Sequence, residues 1–195
     1  MTCREFFDNQ LENKKKCKLL QQMDESALSA WENETASKYS PGAVLDEEIL
    51  YQQIVDPTHI APDGISLLPK SFDVCSSHGL STNRFAHSSL AEMIRRGVDR
   101  AQKFNATYPD KPQRKLWGFV TYSVEEIRKI QCEVAGTRGL FVFDTANEDD
   151  ISHAEVCQGG KNSKSSSQAQ DIRFALYEMA KGNLRSLGSF TNTKE

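Results

Sequence analysis

Two short pairings of cysteine and histidine, Cys75-x2-His78 and His153-x3-Cys157, carry the residue types with the widest chemical reach in this chain. Two thiolates and two neutral imidazoles form a ligand set that tetrahedral zinc accepts. The spacing works against a shared ion: on a strand, His153 and Cys157 occupy one face but lie about 13 Å apart at the ~3.3 Å rise per residue. Only a helical turn or a tight loop there brings them to one metal, and the competing reading is buried thiols and satisfied histidines. The same residues offer a Cys–His nucleophilic pair, Cys157 or Cys75 with His153, because an adjacent imidazole can hold a thiol as thiolate. Cys157 runs into Gln158-Gly159-Gly160, which brings backbone freedom but no nucleophile motif. His153 alone is a candidate acid, base or ligand.

Three further stretches suggest binding chemistry. Gly159-Gly160-Lys161, followed by Lys164 and several serines, stands between a strand pattern and a helix pattern, where phosphate loops occur. It fails the Walker spacing, and Asn162 stands where that motif needs Ser or Thr, so a solvated flexible loop is the expectation. No cofactor is assigned. Arg95, Arg96, Arg100 and Lys103 form one basic helix face, continued by Lys111, Arg114 and Lys115. Such a face receives phosphates or an acidic protein surface, or is simply solvated. Ser81-Thr82-Asn83-Arg84 packs four hydrogen-bonding side chains together, which marks Ser81 and Arg84 as binding candidates in a loop; the alternative is a turn that caps the next helix.

The elements that position these residues follow from apolar periodicity. Leu90, Ile94, Val98, Ala101 and Phe104 predict a helix from Ser88 to about Asn105, with a serine as N-cap. Strand composition marks 49–55, 116–122 and 140–144, and the alternation at 153–157 puts Ala154 and Val156 on one face and His153, Glu155 and Cys157 on the other. A Ser123-x-x-Glu126 capping box opens a helix to about Val134. Ile172, Leu176, Met179 and Leu184 mark a closing helix. The strand–helix–strand run from 116 to 144 favours a parallel crossover, hence an α+β fold with a small mixed sheet packed by helices. Residues 56–87 are rich in turn formers and read as one long irregular segment, either functional or poorly ordered.

Phe7, Leu11, Leu20, Met23, Ala27 and Trp31 recur at helical spacing, interrupted by Asn13-Lys14-Lys15-Lys16, and Pro41-Gly42 ends the pattern. This predicts a helical arm over residues 1–40 and an α+β core over 43–190. Phe7, Leu11 and Trp31 would bury better against another surface than alone, so they are candidate contacts to a protein partner.

Composition narrows the classes. The chain has 195 residues, 24 Lys+Arg against 27 Asp+Glu, and 38% hydrophobic residues. That fits one globular domain and supplies no overall positive field, which argues against duplex nucleic acid as the principal partner. Five scattered cysteines suit reduced thiols in a cytoplasm. The charged N-terminal residues lack a secretory apolar region, and no stretch approaches the ~20 apolar residues of a membrane span.

Leu50-Tyr51-Gln52-Gln53-Ile54 with Pro57, Pro69-Lys70-Ser71-Phe72, Gly79-Leu80-Ser81 and His153-Ala154-Glu155-Val156 together resemble a family of uncharacterised bacterial proteins. The family usually has Arg in place of Gln52 and a Pro-Ser-Ser run in place of Pro69-Lys70-Ser71, departures that put an Arg-dependent activity in doubt. The resemblance implies no established reaction but points to Ser81 and His153. Two functional expectations result. One is an accessory protein of a bacterial intracellular system, by analogy one of conflict or defence, docking through its helical arm. The other is a small enzyme or nucleotide-binding domain using residues 56–87 and His153 on a small molecule.

Overall fold

The structure, a computed structural model, describes residues 1–10, 13–132, 136–163 and 166–191. Its centre is a six-stranded sheet, built from β1 (Ile49–Asp56), β2 (Leu80–Arg84), β3 (Lys115–Ser123), β6 (Leu140–Asp144), β7 (His153–Gln158) and β8 (Leu184–Ser186) in the order β6-β7-β2-β1-β3-β8. A two-residue ribbon, β4 (Gln131–Cys132) with β5 (Thr137–Arg138), stands apart. The helices are α1 (Cys3–Asn9), α2 (Lys16–Leu20), α3 (Glu25–Glu32), α4 (Leu90–Thr107), α5 (Val124–Arg128), α6 (Ser166–Gly182) and α7 (Leu187–Thr191). The α+β class is as expected. No described helix is long and apolar enough to cross a membrane.

Every pairing in the sheet is antiparallel, which corrects the expected mixed sheet. β3 and β6 are not neighbours, because the chain between them crosses over β1, β2 and β7 before returning to the edge. The expected helix to Val134 stops at Arg128. Ser123 caps it as predicted, its side chain accepting the Glu126 N–H, but the chain then turns into β4. In α4 the periodic stripe is capped by Ser89, which forms a reciprocal capping box with Glu92.

The period-2 alternation of the strands divides the core into two layers. On one face Leu50, Ile54, Val120, Tyr122, Leu80, Val142, Ala154 and Val156 pack with α5 and α6. On the other face the cover is split. Phe6, Phe7, Leu20, Leu28 and Trp31 close over Phe141, Phe143 and Cys157 at the β6 edge, while Met93 of α4 packs with Leu116 and Phe119 toward β3. The N-terminal helices are therefore part of the core. Each fully buried aromatic contributes on the order of 2–3 kcal/mol, and Phe7 stacks on Phe143 with ring centroids 5.0 Å apart.

Buried charge joins the same helices to the sheet. Glu32, at the end of α3, accepts from the Val142 backbone N–H at 2.6 Å, from Arg128 at 3.2 Å and from Arg138 at 2.8 Å. Lys16 bonds Glu155 of β7 at 2.8 Å. Burial alone would lower the lysine's pKa, but the Glu155 charge and hydrogen bond outweigh it and hold it above its ordinary value.

Candidate functional site: a cavity where two central strands part

β1 and β2 pair only at Leu50 with Arg84 and Tyr51 with Asn83. β1 stays registered to β3 as far as Asp56, with an irregularity between Ile54 and Val55, and β2 stays registered to β7 back to Leu80. Between those two continuing ladders the sheet splays, and a cavity of about 330 Å³ lies in the gap. Gln52, Gln53 and Val55 line it from β1, Gly79, Leu80 and Ser81 from the start of β2, and Ser71 and Val74 from a 3-10 helix (Pro69–Ser76); Arg100 of α4, with His59, Arg114 and Glu155, completes the wall. Residues 56–87, expected to be irregular, thus contain a helix and a central strand, and they build one side of the cavity. Gly79 has φ +93°, and a Cβ there would meet Glu155 Oε2 at 3.0 Å and Cys157 Sγ at 3.1 Å, so glycine keeps this wall thin.

The polar groups of the wall differ in how fully they are used. Ser71 is buried, and its Oγ has no hydrogen-bond partner among the described residues. A buried hydroxyl left unpaired costs about 1–3 kcal/mol. His59 Nδ1 accepts the Val55 N–H at 3.0 Å. The remaining ring nitrogen then carries the proton as a donor. Burial, with the Arg114 charge adding to it, pushes the His59 pKa down to about 4, so the ring is neutral at neutral pH. Arg114 lies over the Phe104 ring at 3.4 Å, and no carboxylate among the described residues is within ion-pair distance of it. Arg100 reaches Asp150 at 3.5 Å, and Arg96 reaches the same carboxylate at 3.3 Å. Two guanidinium groups, Arg96 and Arg100, therefore share one aspartate and Arg114 has none, while Lys16 and Glu155 neutralise each other. The cavity is positive.

The predicted site residues fall into distinct places. Ser81 and His153 come together: with Asn83 opposite His153 in the β2–β7 register, they are diagonal neighbours on one face, and Ser81 Oγ lies 2.8 Å from His153 Nε2. The His153 Nδ1 lies 3.2 Å from the Thr145 backbone oxygen and 2.9 Å from its Oγ1. Ser81 lies neither in a loop nor in a capping turn but on a central strand, alternating with the inward Thr82.

Arg84 is corrected from binding candidate to structural clamp. Its five N–H groups are all used: Nε and Nη2 on Glu48 at 2.8 and 2.6 Å, Nη1 on Gly42 O and Asp144 at 2.7 and 3.1 Å, and Nη2 on Ala43 O at 3.1 Å. It is 2% exposed. Phe7 and Trp31 are likewise buried under the chain's own sheet rather than offered to a partner; Leu11 lies outside the described residues.

The four proposed metal ligands are dispersed. Cys75 sits in the α6-side core and Cys157 in the opposite layer, His78 is exposed on the cavity wall, and His153 bonds Ser81. Among the described residues no group of three or more His, Cys, Asp or Glu side chains is placed to hold a metal. The thiolate pair also fails: burial raises the Cys75 thiol, and a hydrogen bond with Cys17 together with burial raises Cys157 well above the ordinary value. Nor is the glycine stretch a phosphate loop, because Gly160 N–H donates to Leu20 O and Lys161 N–H to Met23 O, both at 3.1 Å. Of the basic stretch, Arg100 and Arg114 reach the cavity, whereas Arg95 pairs with Asp99 and Lys115 with Asp56.

Residue-type reasoning passed over His59, placed Glu155 on the His153 face without a role, and met Ser71 only through the resemblance. No local pattern marks them; each matters because of what the splay places beside it. Comparison with family models, curated proteins and solved structures returned no match for this chain.

Proposed function

We propose that the chain is a small-molecule-binding domain whose ligand carries an anionic group, seated where β1 and β2 part. The observation that carries this reading is that the cavity lining holds both a buried Ser71 hydroxyl without a partner among the described residues and the half-buried Arg114 guanidinium, which no carboxylate among them pairs. A buried hydroxyl is left unpaired at a cost, and an anion bound beside it can accept its hydrogen bond while meeting the Arg114 charge. The volume suits a ligand at the small end of the usual ~300–1,000 Å³ range. The neutral His59 adds a directional donor, and Gln52 and Gln53 add amides.

The test is thermal unfolding of the full chain titrated with inorganic phosphate, citrate and adenosine monophosphate, and with spermidine as a cationic control. At least one anion should raise Tm in a saturable way, by about 2.7 kcal/mol of linkage at a hundred times its Kd. Arg114→Gln, which keeps a long polar side chain, should abolish the rise. Equal stabilisation of Arg114→Gln, or of the wild type by spermidine alone, overturns the reading.

A further inference from the structure

We propose that Ser81 and His153 form a nucleophile–base pair at the edge of the cavity and that the chain hydrolyses small esters bearing an anionic group. This rests on the cavity reading for its substrate class, but the pair itself is defined by separate geometry. The Thr145 backbone carbonyl, 3.2 Å from His153 Nδ1, only accepts, and the Thr145 hydroxyl at 2.9 Å can accept as well, so a proton on Nδ1 is the tautomer that serves both oxygens. Nε2 is then a lone pair, and the Ser81 hydroxyl 2.8 Å away donates to it. That is the tautomer a general base requires, held by an oxygen that no side-chain replacement removes. Ser81 is exposed and lines the cavity, so its oxygen is reachable from the side where an anionic ligand would sit.

The sheet explains why the arrangement is stiff. Ser81 and His153 sit on adjacent, continuously registered strands, and Thr82 Oγ1 donates to Ala154 O at 2.9 Å between them. The neighbouring ionisable groups are committed elsewhere: Glu155 to Lys16, and Asp150 to Arg96, Arg100 and Asn83.

In the first step the Ser81 oxygen attacks the ester carbonyl carbon. The O–C bond forms, the carbonyl π pair moves to oxygen, and the hydroxyl proton passes to His153 Nε2. The cavity's guanidinium groups, Arg100 and Arg114, supply positive charge for the oxyanion. Collapse of the adduct breaks the bond to the leaving oxygen, which takes the proton back from the imidazolium and departs as the alcohol. Water repeats the sequence on the acyl-serine, releasing the acid and restoring Ser81.

The experiment treats the full chain with an alkyl fluorophosphonate and follows intact mass, then maps the adduct by peptide mass spectrometry. One adduct per chain is expected, on Ser81, absent in Ser81→Ala and formed at least about 100-fold more slowly in His153→Gln, the lower end of what a general base supplies. Thermal unfolding confirms that both variants are folded, and the wild-type labelling needs no variant at all. Saturating inorganic phosphate should slow labelling of the wild type but not of Arg114→Gln. No adduct at Ser81, or equal rates in His153→Gln, overturns the pair while leaving phosphate stabilisation through Arg114 intact. Labelling at Ser81 that phosphate never affects supports the pair and overturns the anionic substrate class.

Discussion

Replacing Glu32 by alanine removes one side chain that serves three elements. Its carboxylate is 3% exposed and holds Arg128 at 3.2 Å, Arg138 at 2.7 Å and the Val142 N–H at 2.6 Å. Both arginine side chains are less than one-fifth exposed, so alanine leaves Arg138 without a carboxylate, Arg128 with Asp46 alone, and a strand N–H unpaired in a poorly solvated place. Breaking a buried pair from one side costs about 3–5 kcal/mol. For a chain of this length each kcal/mol lowers Tm by about 2–4 °C, so the expected drop is about 6–20 °C in a single transition. Circular dichroism during heating, with urea unfolding alongside, reads it. Glu125→Ala is the control, since the exposed Glu125–Lys129 pair on one helix should change stability by less than about 0.5 kcal/mol. The argument is refuted if Glu32→Ala costs less than about 1 kcal/mol. It is refuted equally if α1 to α3 melt in a separate early transition while the sheet persists, which is how a detached arm over residues 1–40 would behave.

Two other perturbations probe different parts of the molecule. The folded state holds the His59 pKa near 4, below the ~6.5 of an unfolded chain. The unfolded chain therefore binds the proton first as pH falls, so stability present above pH ~6.5 declines toward pH 4. His59→Gln should flatten the urea midpoint over that window, and Arg114→Gln should raise the His59 pKa as followed by NMR; an unchanged midpoint in wild type between pH 6.5 and 4 contradicts the assignment. The five cysteines form no disulfide and are buried, with Cys3 raised to about 12 by burial and by Glu34 and Asp144. Iodoacetamide should alkylate the native protein at a rate set by unfolding, and rapid modification of any thiol at neutral pH would contradict their burial.

Much of the scaffold is legible from local pattern because its residues obey one period over their whole length. The stripe of α4 and the alternation of β7 are visible without knowing what they pack against. β2 is not. Leu80-Ser81-Thr82-Asn83-Arg84 has a single β-branched residue, and what makes it a buried strand is supplied from afar: Glu48 and Asp144 satisfy Arg84, while Asp150 and Ser152 satisfy Asn83. Propensity sees a polar turn where tertiary partners make a central strand. The N-terminal stripe shows the converse. Its amphipathicity is plain in Phe7 and Trp31, but amphipathicity states only that a face must be covered; that Phe141 and Phe143 of the same chain provide the cover is a long-range fact.

The candidate site divides along the same line. Ser81 and His153 are noticed singly because their side chains are reactive types, yet their significance lies in a register, Asn83 opposite His153, that spans 70 residues of chain. The mis-ordered sheet has the same origin. A strand–helix–strand spacing suggests a parallel neighbour, whereas β6 is placed by its five-residue ladder to β7, which closes only after the chain has crossed the sheet. The cavity too follows from register. With β2 registered to β7 and β1 to β3, the two central strands belong to different ladders beyond Tyr51, and each continues to its own partner rather than to the other. A gap of this kind, walled by strands that are each firmly paired on their far side, keeps its shape without a ligand. Unpaired polar groups such as Ser71 Oγ can then be held in place to meet one.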